Sequence, residues 1–213
     1  MTFDGIASRL QADHLDIFGA FHTDASDGLG DGTLLLVGPY EPGFWAAFTR
    51  AGEWQDGTPD PMDRWSKRVL NTAARDLGAE ALFPFGEPIH PFFSWALRSG
   101  RAWSSPVLLL VHDVAGLMGS YRGALLVPKR LSLPAAPAKP CETCSGTPCL
   151  TACPVGALPG SGYDLAACHA YLDTDPGAEC MENGCAVRRA CPLSQSYRRL
   201  AAQSAYHMGQ FHS

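Results

Sequence analysis

Residues 1–140 contain no cysteine, although the 213-residue chain has eight. All of them fall between Cys141 and Cys191. A disulfide framework would suit a secreted protein. The start, Met1-Thr2-Phe3-Asp4-Gly5, has neither the basic n-region nor the apolar h-region of an export signal. The expectation is therefore a cytoplasmic chain whose clustered thiols bind metal or clusters in a reducing compartment. Long apolar runs are missing too. Stretches such as Val107 to Val111 are far too short to span a bilayer, so no membrane partner is expected. Basic residues are scarce at the front: residues 1–60 hold ten acids and two bases, residues 61–139 five acids and ten bases, and residues 140–213 six acids and four bases. With a net charge of −5 the chain is not basic enough for a nucleic-acid partner to be expected on charge grounds. The middle stretch has the charge to meet an anionic ligand.

What is present divides at Leu131–Pro140, where Pro134, Pro137 and Pro140 interleave with alanine. Proline at this density disfavours helix and sheet interior and suits a stiff linker. The expected organisation is an α/β (α+β) domain over 1–133 and a small, α-rich, cysteine-stapled domain over 139–213. In the first, Asp60-Pro61 predicts a helix start, with Asp60 as N-cap. Met62, Trp65, Val69, Ala73 and Leu77 follow at helical spacing, and Gly78 is the expected C-cap. Leu15–Phe21, Thr33–Val37, Ala81–Phe85, Val107–Val111 and Tyr121–Val127 read as strands. Near-continuous apolar character, as in Leu108-Leu109-Leu110-Val111, suggests burial on both faces. Gly43–Ala51 and Pro91–Ser99 read as helices, and in the second domain so do Asp164–Leu172 and Ser194–Tyr206.

The cysteines form a run, Cys141-x2-Cys144-x4-Cys149-x3-Cys153-Pro154, and a looser set, Cys168, Cys180, Cys185 and Cys191-Pro192. Dicluster ferredoxins use C-x2-C-x2-C-x3-C-P, in which the last cysteine serves the other cluster. A tight loop reaches about three corners of a cubane, and the proline turns the chain away. The same crossover here assigns Cys141, Cys144, Cys149 and Cys191 to one [4Fe-4S] cluster. Cys153, Cys168, Cys180 and Cys185 go to a second. The gap Ser145-Gly146-Thr147-Pro148 is longer than the ferredoxin pattern. Two zinc sites of four thiolates each are the rival, though only Cys141/Cys144 has the C-x2-C form of a zinc knuckle.

With Cys168-His169-Ala170-Tyr171-Leu172 and two Cys-Pro endings, the C-terminal third resembles the ferredoxin-type domain of epoxyqueuosine reductase. Thr33–Val37 with Phe44–Phe48, Asp60-Pro61, Pro88-Ile89-His90-Pro91 and Tyr121-Arg122-Gly123-Ala124-Leu125-Leu126-Val127-Pro128 follow the motif order of the vitamin B12 processing (decyanation and dealkylation) proteins, which these residues resemble. The resemblances imply a flavin-reductase-like N-terminal domain with a cobalamin-type ligand site. They also imply a ferredoxin-like domain carrying two [4Fe-4S] clusters. The implied function is an iron–sulfur oxidoreductase that relays electrons to a corrinoid. The alternative is a ferredoxin-like electron carrier without a small-molecule site. A ferredoxin or flavodoxin type donor protein is the implied partner. The Gly-rich segment of epoxyqueuosine reductase is absent, its nearest counterpart being Ala115-Gly116-Leu117-Met118-Gly119-Ser120. A tRNA substrate is therefore disfavoured.

Outside the cysteines, His90 in its proline-flanked loop and Arg122 among apolar residues are the candidate cofactor-binding groups. A buried arginine needs an acid or an anionic ligand. His112-Asp113 reads as an acid/base pair or a turn. Trp95 and Trp103 read as core or as stacking surfaces. Arg188, Arg189, Arg198 and Arg199 read as a solvated helix face or as a dock for an acidic donor.

Overall fold

A computed structural model describes residues 1–212. The chain is a mixed α/β protein with a small antiparallel sheet. It divides into two units: Met1–Ala102 with Ser120–Pro137, and Trp103–Gly119 with Ala138–Ser213. Among the described residues, no helix is long and apolar enough to cross a membrane.

The first unit begins with α1 (Phe3–Gln11), capped by Thr2, whose hydroxyl accepts from the Gly5 N–H at 3.2 Å. Then come β1 (Leu15–His22), β2 (Thr33–Pro39), α2 (Phe44–Thr49), α3 (Gly52–Gln55), α4 (Pro61–Leu77), β3 (Glu80–Leu82) and α5 (Phe92–Arg98). In the second unit, β4 (Ala102–Ser104) and β5 (Leu110–His112) form a hairpin; Ala102, the first residue of β4, still belongs to the first unit. The chain then returns to the first unit for β6 (Gly123–Val127). The sheet order is β1-β2-β6-β3, with every neighbouring pair antiparallel. All residues of β2 and β6 are buried, as continuous apolar sequence requires of central strands. The β1–β2 register shifts between Ile17 and Gly19, so Phe18 is an extra residue. Its ring lies over Gly38, where an added Cβ would come within 2.4 Å of it.

Helix α4 packs on β3 and β6 and buries Met62, Trp65, Val69, Leu70 and Ala73. Phe44 and Phe48 meet the Trp65 ring edge-on at 5.4 and 6.0 Å. Asp60 stands at the N-cap position, but with φ 55 its side chain makes no capping bond. Arg64 secures the helix start instead, donating to the carbonyls of Glu53, Thr58 and Pro59 and to Asp56. Gly78 closes the helix in the left-handed region, φ 59.

The second unit continues with α6 (Leu165–Leu172), α7 (Ala178–Asn183), α8 (Ala186–Ala190), α9 (Pro192–Ser196) and α10 (Ala201–Phe211). Three sequence expectations need correction. Val107–Val111 is not a two-faced buried strand. It is the hairpin turn leading into β5: the Ser105 N–H donates to Leu109 O, the Leu108 N–H to Ser105 O, Leu108 takes φ 62, and its side chain is half exposed. Ser194–Tyr206 is not one helix, because Arg198 at φ 65 breaks it between α9 and α10. The strand expected over Ala81–Phe85 ends at Leu82. A division of the chain at the proline-rich linker also leaves out the excursion of residues 103–119. Val107, Val111 and Leu117 from that excursion join Cys149, Leu158, Val187 and Cys191 in one apolar core.

Candidate metal centre

The eight cysteines are free thiols. Cys141 sits in a 3-10 turn (Pro140–Glu142), Cys149 in another (Pro148–Leu150), and Cys191 at the junction of α8 and α9. The longer Cys144–Cys149 gap folds back through two left-handed residues, Gly146 (φ 74) and Thr147 (φ 37). The extra length is thus taken up in a turn. Cys149, Cys144 and Cys191 are the cysteine neighbours of Cys141. All four sulfur-bearing residues line one small pocket with Ser105, Pro106, Val111, Leu117 and Pro192.

The other four form a second group. Cys168 lies on α6, Cys180 on α7, and Cys185 stands just before α8. Cys180 packs with Cys168 and Cys185 in one apolar cluster, and Cys153 also lies close enough to Cys168 to act on its thiol. The fold therefore gathers the thiols four and four. Cys153 and Cys185 also pack against the apolar core that holds Cys149 and Cys191, so the quartets are adjacent.

Burial pushes the Cys141, Cys149, Cys168 and Cys180 thiols up, and neighbouring thiols add to the effect. Two hydrogen-bond donors point at sulfur. The Ala157 N–H donates to Cys153 Sγ at 3.2 Å, and the Tyr163 hydroxyl to Cys168 Sγ at 3.4 Å. Burial, then the bond to Cys168, keeps Tyr163 protonated well above the ordinary tyrosine range.

Among the described residues, no group of three or more His, Cys, Asp or Glu side chains has the geometry to hold a metal ion. The quartets are neighbourhoods of thiols rather than closed coordination shells. No family model, curated protein or solved structure matches the chain. The functional reading therefore rests on the residues alone.

The remaining candidates have local roles. His90 stacks on Trp95, ring centroids 5.3 Å apart, and Trp95 itself is core. Arg122 precedes β6 and lies 3.9 Å from Asp63, whose carboxyl burial pushes up. Neither residue lines the surface hollow between Arg68 and Ala81 or the one formed by Met1–Asp4 with Lys129–Pro134. His112 closes a turn: its Nδ1 accepts from the Val114 and Ala115 N–H groups at 3.2 Å, and its Nε2 lies 3.2 Å from Asp113. Trp103 is half-buried against the thiol core. Arg188 donates to Leu117 O, Arg199 to Met118 O at 3.0 Å, and Arg189 to Gly184 O at 2.9 Å. Only Arg198 of the four arginines is exposed; the others are partly buried.

Sequence reasoning missed the wall formed by residues 105–117. Gly116 (φ 56) lies so close to the thiols that an added Cβ would sit 2.9 Å from Cys191 Sγ and 2.5 Å from the Ser194 nitrogen. The Leu117 N–H donates to Ser194 Oγ at 2.9 Å. The one available signal was the Gly116-x2-Gly119 stretch, which in sequence has no visible tie to the cysteines.

Proposed function

We propose that the protein is an iron–sulfur redox protein carrying two [4Fe-4S] clusters, with Cys141, Cys144, Cys149 and Cys191 holding one and Cys153, Cys168, Cys180 and Cys185 the other. The observation that carries this reading is the four-and-four gathering of the thiols. The donor chemistry suits it. Apolar walls and N–H or O–H donors aimed at sulfur are the groups with which proteins set cluster potentials. When bound, such clusters accept and release single electrons. The chain's own residues supply the thiolates, exclude water with Val111 and Leu117, and give Cys153 and Cys168 hydrogen-bond donors. The adjacency of the quartets supports electron exchange between them.

The acceptor is either a corrinoid bound by the first unit or a partner protein. The stacking of His90 on Trp95 and the pairing of Arg122 with Asp63 favour the partner protein, since both side chains already have local roles. Anaerobic purification tests the reading, with measurement of iron, sulfide and zinc and of the visible spectrum before and after dithionite. Iron and sulfide in near-equal amounts, with a band that bleaches on reduction, are expected. Zinc in place of iron overturns the reading. A cobalamin titration of the same sample decides the acceptor: no spectral change leaves the electron carrier, and a saturable change restores the corrinoid.

A further inference from the structure

The Ser105 side chain has no role in the protein's own hydrogen bonding. Its backbone is fully used in the hairpin turn: the N–H donates to Leu109 O, and the carbonyl accepts from the Leu108 N–H, both at 2.9 Å. The side chain is different. Ser105 is 5 % exposed, and among the described residues its hydroxyl has no partner. A buried hydroxyl without a partner is uncommon and destabilising, and calls for a group that accepts from it. Ser105 also lines the pocket of the first thiol quartet. The side chains of Pro106, Val111, Leu117, Pro148 and Pro192 around it present only carbon, and Thr147, the other hydroxyl there, is less deeply buried than Ser105.

The second quartet shows what such a hydroxyl does. There the Tyr163 hydroxyl donates to Cys168 Sγ at 3.4 Å. The first quartet has no such bond from a side-chain hydroxyl among the described residues. Ser105 is the group at hand to supply one.

We propose that Ser105 is a potential-tuning residue of the first centre, donating its hydroxyl proton to a sulfur of the cluster bound by Cys141, Cys144, Cys149 and Cys191. This rests on the two-cluster reading given above. A donor to sulfur stabilises the reduced, more negative state over the oxidised one and so raises the reduction potential of the cluster it touches. Two hydroxyls from unrelated parts of the chain, Ser105 and Tyr163, then set the two centres separately.

The test is a redox titration of the full chain, purified with its clusters and followed by electron paramagnetic resonance so that the two centres are resolved. Ser105→Ala is expected to make one centre about tenfold harder to reduce, which for one electron is about 59 mV. The other centre stays unchanged. Tyr163→Phe is expected to shift the other centre and leave the first. If both clusters are present in Ser105→Ala at unchanged potentials, the proposal fails while the cluster reading stands. If the unmutated chain binds no iron, the cluster reading fails and takes the proposal with it. Should Ser105→Ala lose the first cluster, Ser105→Thr decides. Retention of the cluster at its original potential supports the hydroxyl's role, and loss or a shifted potential in this variant as well overturns it.

Discussion

The two thiol quartets are built in different ways. The second is local: its cysteines and the Ala157 and Tyr163 donors all come from one stretch, residues 153–185. The first is assembled from distant parts of the chain. Three cysteines come from the run at 141–149, one from the α8–α9 junction, and one wall from residues 105–117. A local site depends mainly on its own helices being formed. A site closed by a distant hairpin depends on every contact that docks the hairpin. The first quartet should therefore be the more fragile, and each prediction below attacks or sharpens that asymmetry.

The largest effect is expected from removing a thiol. Cys191→Ala should eliminate about half of the bound iron, all from the first centre, because three remaining thiolates leave one corner of a cubane without a protein ligand. Cys180→Ala should eliminate the other half. Iron analysis with electron paramagnetic resonance distinguishes the two centres. Loss from the second centre alone in Cys191→Ala would break the assignment.

Next in size is Gly116→Val. A β-branched residue at φ 56, with its Cβ 2.5 Å from the Ser194 backbone nitrogen, forces the 112–119 turn away from α9. Strain and overpacking of this kind cost about 2–4 kcal/mol. Urea unfolding should show the loss, and iron should leave the first centre before the second. Equal loss from both centres would remove the asymmetry.

How much of this was legible in the sequence follows from what each feature depends on. Helix α4 depends on its own residues: a proline at the first position, apolar side chains at helical spacing and a terminal glycine. Strands β1 and β2 were legible for the same reason. The grouping of Cys191 with Cys141, Cys144 and Cys149 was expected from the ferredoxin crossover, a pattern that encodes a distant pairing. The hairpin wall was not legible. Leu108-Leu109-Leu110-Val111 has the composition of a buried strand, and nothing in a leucine announces φ 62. Arg198 likewise breaks a helix with no glycine or proline to mark it. Ser105 and Ser194 look like ordinary turn and helix residues. Their importance comes from burial beside the thiols, which only the folded chain produces. An acid of the kind Arg122 was expected to need, Asp63, lies 3.9 Å from it, and that too is a tertiary contact.

A subtler test of the docked wall is Ser194→Ala. The Ser194 hydroxyl accepts from the buried Leu117 N–H at 2.9 Å, and its removal leaves that donor orphaned. The expected loss is about 1–2 kcal/mol, seen as a lower urea midpoint. Cluster loss should again be confined to the first centre. An effect on the second centre of equal size would show that the wall supports the whole unit rather than one site.

The mildest perturbation is pH, and its sign reverses between the empty and the loaded protein. In the empty protein, burial first and neighbouring thiols second hold Cys141, Cys149, Cys168 and Cys180 protonated above the ordinary cysteine value of 9.0. Their folded pKa values exceed those of the unfolded chain. The stability they contribute is fully present below the unfolded value and is lost as pH rises through the folded ones. The thermal midpoint of the metal-free chain should therefore fall as pH climbs past 9. Loading works the other way, because each thiol must release its proton to bind metal. Reconstitution with iron and sulfide should become more complete between pH 7 and 9, with protons released in step with iron uptake. Two raised thiols lie in each quartet, so both centres should follow pH together, unlike the mutations above. If the first centre alone gains occupancy with pH, the quartets differ in thiol chemistry as well as in docking, and the comparison must be redrawn around charge rather than around the hairpin.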